Sequence, residues 1–272
     1  MYEETIGDCR LILGDCLHVM ADLDRHFVHS IITDPPYCSG AATEANKGSA
    51  THQGLRSEGI KTKRFTWFSA DNMTTAGLVW LMRALAVEGD RVVNDGGSLM
   101  AFCDWRMAIN LAPAMESGGW RLRNLCVWNK GHFGLGTGFR PQHEMIIHLS
   151  KRAPVFHHQG YGNVLDCPRT DRGTQEHPTA KPLGLMKALV EVVSPVGGTV
   201  LDPFMGSGST GVACVQYGRK FIGVEKDPKY FEVACRRIRK AYAQGDLFVS
   251  AQSAKPKQLS LEDSLSENGE IT

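Results

Sequence analysis

The chain has 272 residues, 42% of them apolar, which fits one large α/β domain or two small ones and supports a sizeable core. Formal net charge is +1, which does not advertise a polyanion partner, and no apolar run is long enough to span a bilayer, so no membrane association is expected. The eight cysteines, at 9, 16, 38, 103, 126, 167, 214 and 235, form no Cys-x-x-Cys pair, which speaks against a zinc site or a disulfide framework and for reduced thiols in a cytoplasmic protein.

The acidic, polar start Met1-Tyr2-Glu3-Glu4 is unlike a signal peptide. The pattern then predicts a strand at 9–13, a helix at 15–23 and a buried strand at 28–33 that runs into Asp34-Pro35-Pro36-Tyr37. Residues 38–70 are rich in Gly, Ser and Thr, with Lys47, Arg56, Lys61, Lys63 and Arg64, and read as a long mobile basic loop. A helix follows at 75–93, a strand at 97–102, a helix at 105–117, and strands at 122–128 and 145–149 around a Gly-rich connection at 131–138. Residues 151–177 read as irregular and polar. Beyond them come a helix at 181–193, a strand at 199–202, a helix at 209–217, a strand at 220–224 and a helix at 228–241 with a basic end. The expected organisation is a single domain over 1–243 and a polar, disordered tail over 244–272. The stretch 261–272 carries a charge of −4; subtracting it from +1 leaves about +5 for the rest, mildly compatible with a polyanion. Alternating strands and helices predict a doubly wound, mostly parallel sheet, which binds ligands beyond the carboxyl ends of its strands.

Two of those strand ends are marked. At the first, Asp34 offers an acceptor-only carboxylate when ionised. Pro35 and Pro36 present carbonyl oxygens with no competing backbone donor, and Tyr37 adds a flat ring. Acceptors beside a stacking ring suit an exocyclic amino group on a planar heterocycle. At the second, Leu201-Asp202-Pro203-Phe204-Met205-Gly206-Ser207-Gly208-Ser209-Thr210 joins a strand to a helix through a glycine turn that lets backbone approach a ligand closely. Glu225, ending the next strand, suits hydrogen bonds to ribose hydroxyls. No Lys follows the glycines, so this is not a phosphate-loop NTPase.

Together these segments resemble the amino-group DNA methyltransferases that use S-adenosylmethionine. The catalytic tetrapeptide precedes the cofactor loop, as in the permuted beta group of that family. Gly14-Asp15-Cys16-Leu17, Trp128-Asn129-Lys130, His143-Glu144 and His177-Pro178-Thr179-Ala180-Lys181-Pro182 resemble further elements, so that the resemblance covers roughly residues 9–241. It implies the class I methyltransferase (Rossmann-like) fold with one antiparallel strand. It implies a target-base site at Asp34, Pro35, Pro36 and Tyr37, and a methionine-side cofactor site at Asp202, Pro203, Phe204, Gly206 and Gly208. Glu225 would meet the ribose and Asp15 the cofactor adenine, with His177, Thr179 and Lys181 as further cofactor candidates. Asp15 read by itself is equally a helix N-cap, and Phe204 is equally core packing.

The implied partner is DNA, with the target base swung out of the duplex because its amino group cannot be reached inside it. Asp at the first position of the tetrapeptide is commoner among adenine enzymes of the family, which favours N6 of adenine over N4 of cytosine. RNA or protein substrates are disfavoured by the motif order. The basic loop at 38–70 and the segment at about 150–177, with Arg152, His157, His158, Tyr161 and Arg169, are where DNA contacts and target recognition would fall. The histidine pair lacks convincing further ligands, so no metal is expected. Family members often dimerise, which leaves a homodimer open.

Overall fold

A computed structural model describes residues 1–37, 73–134, 138–168 and 180–253. The expected loop at 38–70, Arg169, His177, Thr179 and the end of the expected tail lie outside the described residues.

Nine strands form one sheet among the described residues: β1 (Tyr2–Ile6), β2 (Cys9–Leu13), β3 (Val28–Thr33), β4 (Val93–Cys103), β5 (Arg121–Asn129), β6 (His143–Ser150), β7 (Val164–Asp166), β8 (Thr199–Asp202) and β9 (Lys220–Glu225). Their order is β1-β2-β9-β8-β3-β4-β6-β5-β7. Pairing from β2 through β9, β8 and β3 to β4 is parallel, while β6 runs antiparallel to both β4 and β5. At the far edge β1 pairs antiparallel with β2. Two strands therefore oppose the rest, where the sequence led us to expect one. The added strand, β1, is charged and half-exposed, which hid it from a search for apolar runs but suits an edge, where charges deter pairing with a second sheet. Glu3 on it pairs with Arg10 of β2. The other edge, β7, is three residues long and falls in the stretch read as irregular.

The central strands are apolar on both faces because helices cover both. Helices α1 (Cys16–Asp22), α2 (Thr75–Val92) and α3 (Trp105–Glu116) pack with Ile31, Leu99 and Leu201 on one side. Helices α4 (Leu183–Val193), α5 (Ser209–Gln216) and α6 (Pro228–Ser253) pack with the alternate residues Ile32, Met100 and Val200 on the other. Successive strand residues thus feed opposite cores, as the two-residue period of a strand requires. Helix α6 continues to Ser253, past the point near 244 where a polar tail was expected.

The chain leaves β3 through α2 to β4 on one side and leaves β8 through α5 to β9 on the other. β3 and β8 are neighbours, with Ser30 opposite Val200 and Ile31 opposite Leu201. Their junction is therefore the point where strand order reverses, and parallel sheets open a crevice beyond the strand ends there. The two marked segments follow the last residues of these two strands.

Candidate active site

Asp34 follows β3 directly. Its Oδ1 accepts the Tyr37 hydroxyl at 2.6 Å and its Oδ2 lies 2.9 Å from the Lys181 ammonium. Lys181 donates equally to Glu144 Oε2 at 2.9 Å and to the Tyr37 hydroxyl at 3.0 Å. Glu144, on β6, receives Lys130 on its other oxygen, Oε1, at 2.5 Å. Two carboxylates and two ammonium groups thus balance. The Lys181 ammonium also lies 4.7 Å from the Phe102 ring centre, 5.2 Å from that of Tyr37 and 5.6 Å from that of Trp128, so ring faces supply the rest of its surroundings.

These contacts set the proton affinities. Burial alone would raise Glu144, but Lys181 and Lys130 outweigh it and bring its pKa down to about 2. Burial works against the Lys181 charge, yet Asp34 and Glu144 more than offset it and the pKa is raised. Burial, then the charges of Asp34 and Glu144, push the Tyr37 hydroxyl well above its usual range, so it stays protonated and donates.

The second marked segment is held just as firmly. Asp202 is buried at the end of β8. Its Oδ1 accepts Thr33 Oγ1 at 2.9 Å and the Phe204 backbone N–H at 3.1 Å, and its Oδ2 accepts Thr210 Oγ1 at 2.6 Å. The Thr33 bond ties the last residue of β3 to the last residue of β8. Burial raises the Asp202 pKa to about 7 in spite of those donors. Beyond it, Gly206 (φ +51°) and Gly208 (φ +79°) adopt the left-handed conformation that glycine tolerates best. The Gly206 N–H meets Glu225 Oε2 at 3.0 Å, and Glu225 Oε1 accepts from the N–H groups of Lys226 and Asp227 at 2.8 Å each. Burial raises Glu225, against the pull of these three donors. Arg237 of α6 supports the turn from behind, donating to the Ser207 carbonyl and hydroxyl.

A cavity of about 900 Å³ opens between the two segments. Asp15, Asp34, Pro35, Pro36, Tyr37, Lys181, Asp202, Pro203, Phe204, Gly206 and Glu225 all line it. Strand ends 168 residues apart in the chain, from Asp34 to Asp202, therefore share one chamber. Two placements differ in detail from the sequence reading, and a third, Asp15, fits both readings given for it. Gly208 is not in the wall: it caps α5, and a Cβ there would meet Ala234 Cβ of α6 at 3.0 Å. Lys181, expected near the cofactor, has its ammonium on Asp34. Asp15 is the N-cap of α1, accepting the Leu17 N–H at 3.1 Å, and its side chain also borders the cavity. Sequence reasoning assigned no role to Glu144, Lys130 or Thr33. The first two lie in segments matched by resemblance, but only the fold brings them to Asp34. Among the described residues no cluster of His, Cys, Asp and Glu is arranged to hold a metal ion, and no helix is long and apolar enough to cross a membrane.

The model of the family described as DNA methylase, covering the N6 and N4 amino-methylating enzymes, matches residues 28–236. The chain belongs to this family. Over 239 residues it is 30% identical to a protein of Escherichia coli (strain K12) that bears the name methylase YubD, spanning 87% of this chain and 94% of that protein. Among solved structures, the M1.HpyAVI–SAM complex is 22% identical with a TM-score of 0.62, covering 85% of this chain and 98% of that one. The PvuII DNA methyltransferase, described as cytosine-N4-specific, is 15% identical with a TM-score of 0.65, covering 88% and 93%. Both share the class I methyltransferase fold with this DNA methyltransferase.

Proposed function

We propose that this DNA methyltransferase moves the methyl group of S-adenosylmethionine to the N6 amino group of adenine, on a base swung out of the duplex into the chamber at the β3/β8 junction. The observation that carries the reading is that chamber, walled on one side by Asp34–Tyr37 and on the other by Asp202–Gly206. Its size suits a nucleoside-like cofactor together with a base. Among the described residues Gly206 has no atom nearer than 4.0 Å to where a Cβ would stand, so its backbone presents open space to a ligand. Glu225, the last residue of β9 and bonded to the glycine turn, has the position and acceptor chemistry for ribose hydroxyls, and Asp15 borders the same space. The M1.HpyAVI structure, of the same fold, carries SAM.

S-adenosylmethionine supplies a methyl already activated on a sulfonium centre. The protein's work is then to aim the amino nitrogen, whose lone pair is conjugated with the ring. Asp34 and the Pro35 carbonyl accept the two amino protons and favour a more pyramidal nitrogen pointed at the methyl, an electrostatic preorganisation. Tyr37 stacks on the base. Adenine is preferred over cytosine because the tetrapeptide begins with Asp, and the order of tetrapeptide before glycine loop supports the beta group. Incubation with labelled S-adenosylmethionine and unmethylated duplex DNA, followed by nucleoside mass spectrometry, tests it. Label in 6-methyladenine is expected. Label in N4-methylcytosine instead would move the assignment to the cytosine branch, and unlabelled DNA would overturn it.

A further inference from the structure

Glu144 belongs to none of the segments given a role above, yet it is the hub of the charged cluster behind Asp34. We infer that Glu144 is a positioning residue for methyl transfer, fixing the Asp34 carboxylate through Lys181 and Tyr37. The inference rests on Asp34 being the group that receives the target amine.

The geometry is closed on the protein side and open on the substrate side. Both Glu144 oxygens are engaged, Oε1 by Lys130 and Oε2 by Lys181, with the Tyr37 hydroxyl 3.0 Å from Oε2. The three N–H donors of Lys181 have three acceptors: Asp34 Oδ2, Glu144 Oε2 and Tyr37 Oη. Tyr37 then directs its proton to Asp34 Oδ1 at 2.6 Å. Asp34 is thus gripped at both oxygens, which sets its rotamer, and each oxygen keeps a lone pair for a ligand. Exposure follows the same order. All three line the cavity, but the Glu144 and Lys181 side chains are 13% and 11% exposed, against 32% for Asp34, the most open of them.

The alternative, in which Glu144 takes the proton released by the methylated amine, fits poorly. A carboxyl held near pKa 2 by two ammonium groups is a weak proton acceptor, and neither of its oxygens is free. What Glu144 supplies is a negative charge that keeps Lys181 at a three-way junction. Without it the ammonium keeps only Asp34 and the Tyr37 hydroxyl as acceptors, has no fixed charge to hold it against Asp34, and Asp34 loses its aim. Misplacement of a reacting group by about 1 Å can cost on the order of 100-fold in rate.

The test compares Glu144→Gln, Lys181→Met and the double variant with the parent and with Asp34→Ala. It measures single-turnover methylation of unmethylated genomic DNA and S-adenosylmethionine affinity by calorimetry. Glu144→Gln and Lys181→Met should each slow methyl transfer about 10- to 100-fold, with cofactor Kd within about twofold of the parent. The double variant should be no slower than the slower single one, because both act through one junction. A Glu144→Gln rate within twofold of the parent, a loss confined to cofactor Kd, or multiplicative losses in the double variant would overturn the inference. Should Glu144→Gln not fold, Glu144→Asp, which withdraws the carboxylate by one methylene, is read by the same criteria. An active Asp34→Ala would overturn the catalytic reading of Asp34 itself, whereas an inactive Asp34→Ala beside a normal Glu144→Gln would overturn only this inference.

Discussion

At the scale of single residues, the site separates groups that must stay charged from one that need not. Asp34, the more exposed of the two carboxylates beside Tyr37, is the one on which the proposed transfer rests. Asp34→Ala should reduce methyl transfer below detection while cofactor Kd changes little, as checked by labelled transfer and calorimetry on one preparation. Asp202 is the reverse case, a buried carboxyl with three donors and a pKa raised to about 7. An unfolded Asp titrates near 4. Between about pH 4 and pH 7 the folded chain therefore holds a proton that the unfolded chain has lost, so raising the pH across that window weakens the fold, and above it the effect is constant. Asp202→Asn removes this titration. Its melting temperature should gain on that of the parent as pH rises from about 4 to 7, measured by thermal scans in a buffer series. A parallel pair of curves would show that Asp202 does not titrate there.

At the scale of elements, the glycine turn between β8 and α5 contains two left-handed glycines with different duties. Gly208 faces α6, and a Cβ would press on Ala234 Cβ at 3.0 Å and Cα at 3.1 Å. Gly208→Ala should cost about 1–3 kcal/mol of stability, since backbone strain adds to the contact, with a loss of cofactor affinity only in so far as the turn shifts. Gly206 faces the chamber, and among the described residues the nearest atom to a Cβ there is the Phe204 carbonyl oxygen at 4.0 Å. Gly206→Ala should cost about 1 kcal/mol or less in urea unfolding but weaken S-adenosylmethionine binding at least tenfold. Equal effects of the two substitutions on cofactor Kd would remove the distinction.

At the scale of the molecule, the proposed activity requires two segments to stay in register across the β3/β8 junction. Only two residue pairs define the ladder between these strands, and the Thr33–Asp202 hydrogen bond extends it by one step toward the site. Thr33→Val keeps the shape but removes that bond and leaves the buried carboxylate with one donor fewer. A loss of about 1–3 kcal/mol in urea unfolding is expected. The rate of methyl transfer should fall more than cofactor affinity, because each half-site remains intact while their alignment loosens. A variant that loses stability but transfers methyl at the parental rate would show that the bond serves the fold alone.

How much of this was legible in the chain follows from the range of each interaction. Local patterns announced the central strands, most of the helices and the two turns that border the cavity, because apolar periodicity, Pro-Pro and Gly-x-Gly act over a few residues. Edge strands β1 and β7 were hidden, since an edge needs no continuous apolar run. The Glu144–Lys181–Asp34 junction was hidden too, because its members stand 110 and 37 residues apart in the order Asp34, Glu144, Lys181 and nothing local links them. The amino-acid sequence by itself determined which chemistry stands at the ends of β3 and β8. Tertiary structure alone decided that those ends adjoin, that the Lys181 ammonium meets Asp34, and that Gly208 packs on α6. Each of these depends on strand order and helix packing, which are set by burying two apolar faces at once and not by any short stretch of chain.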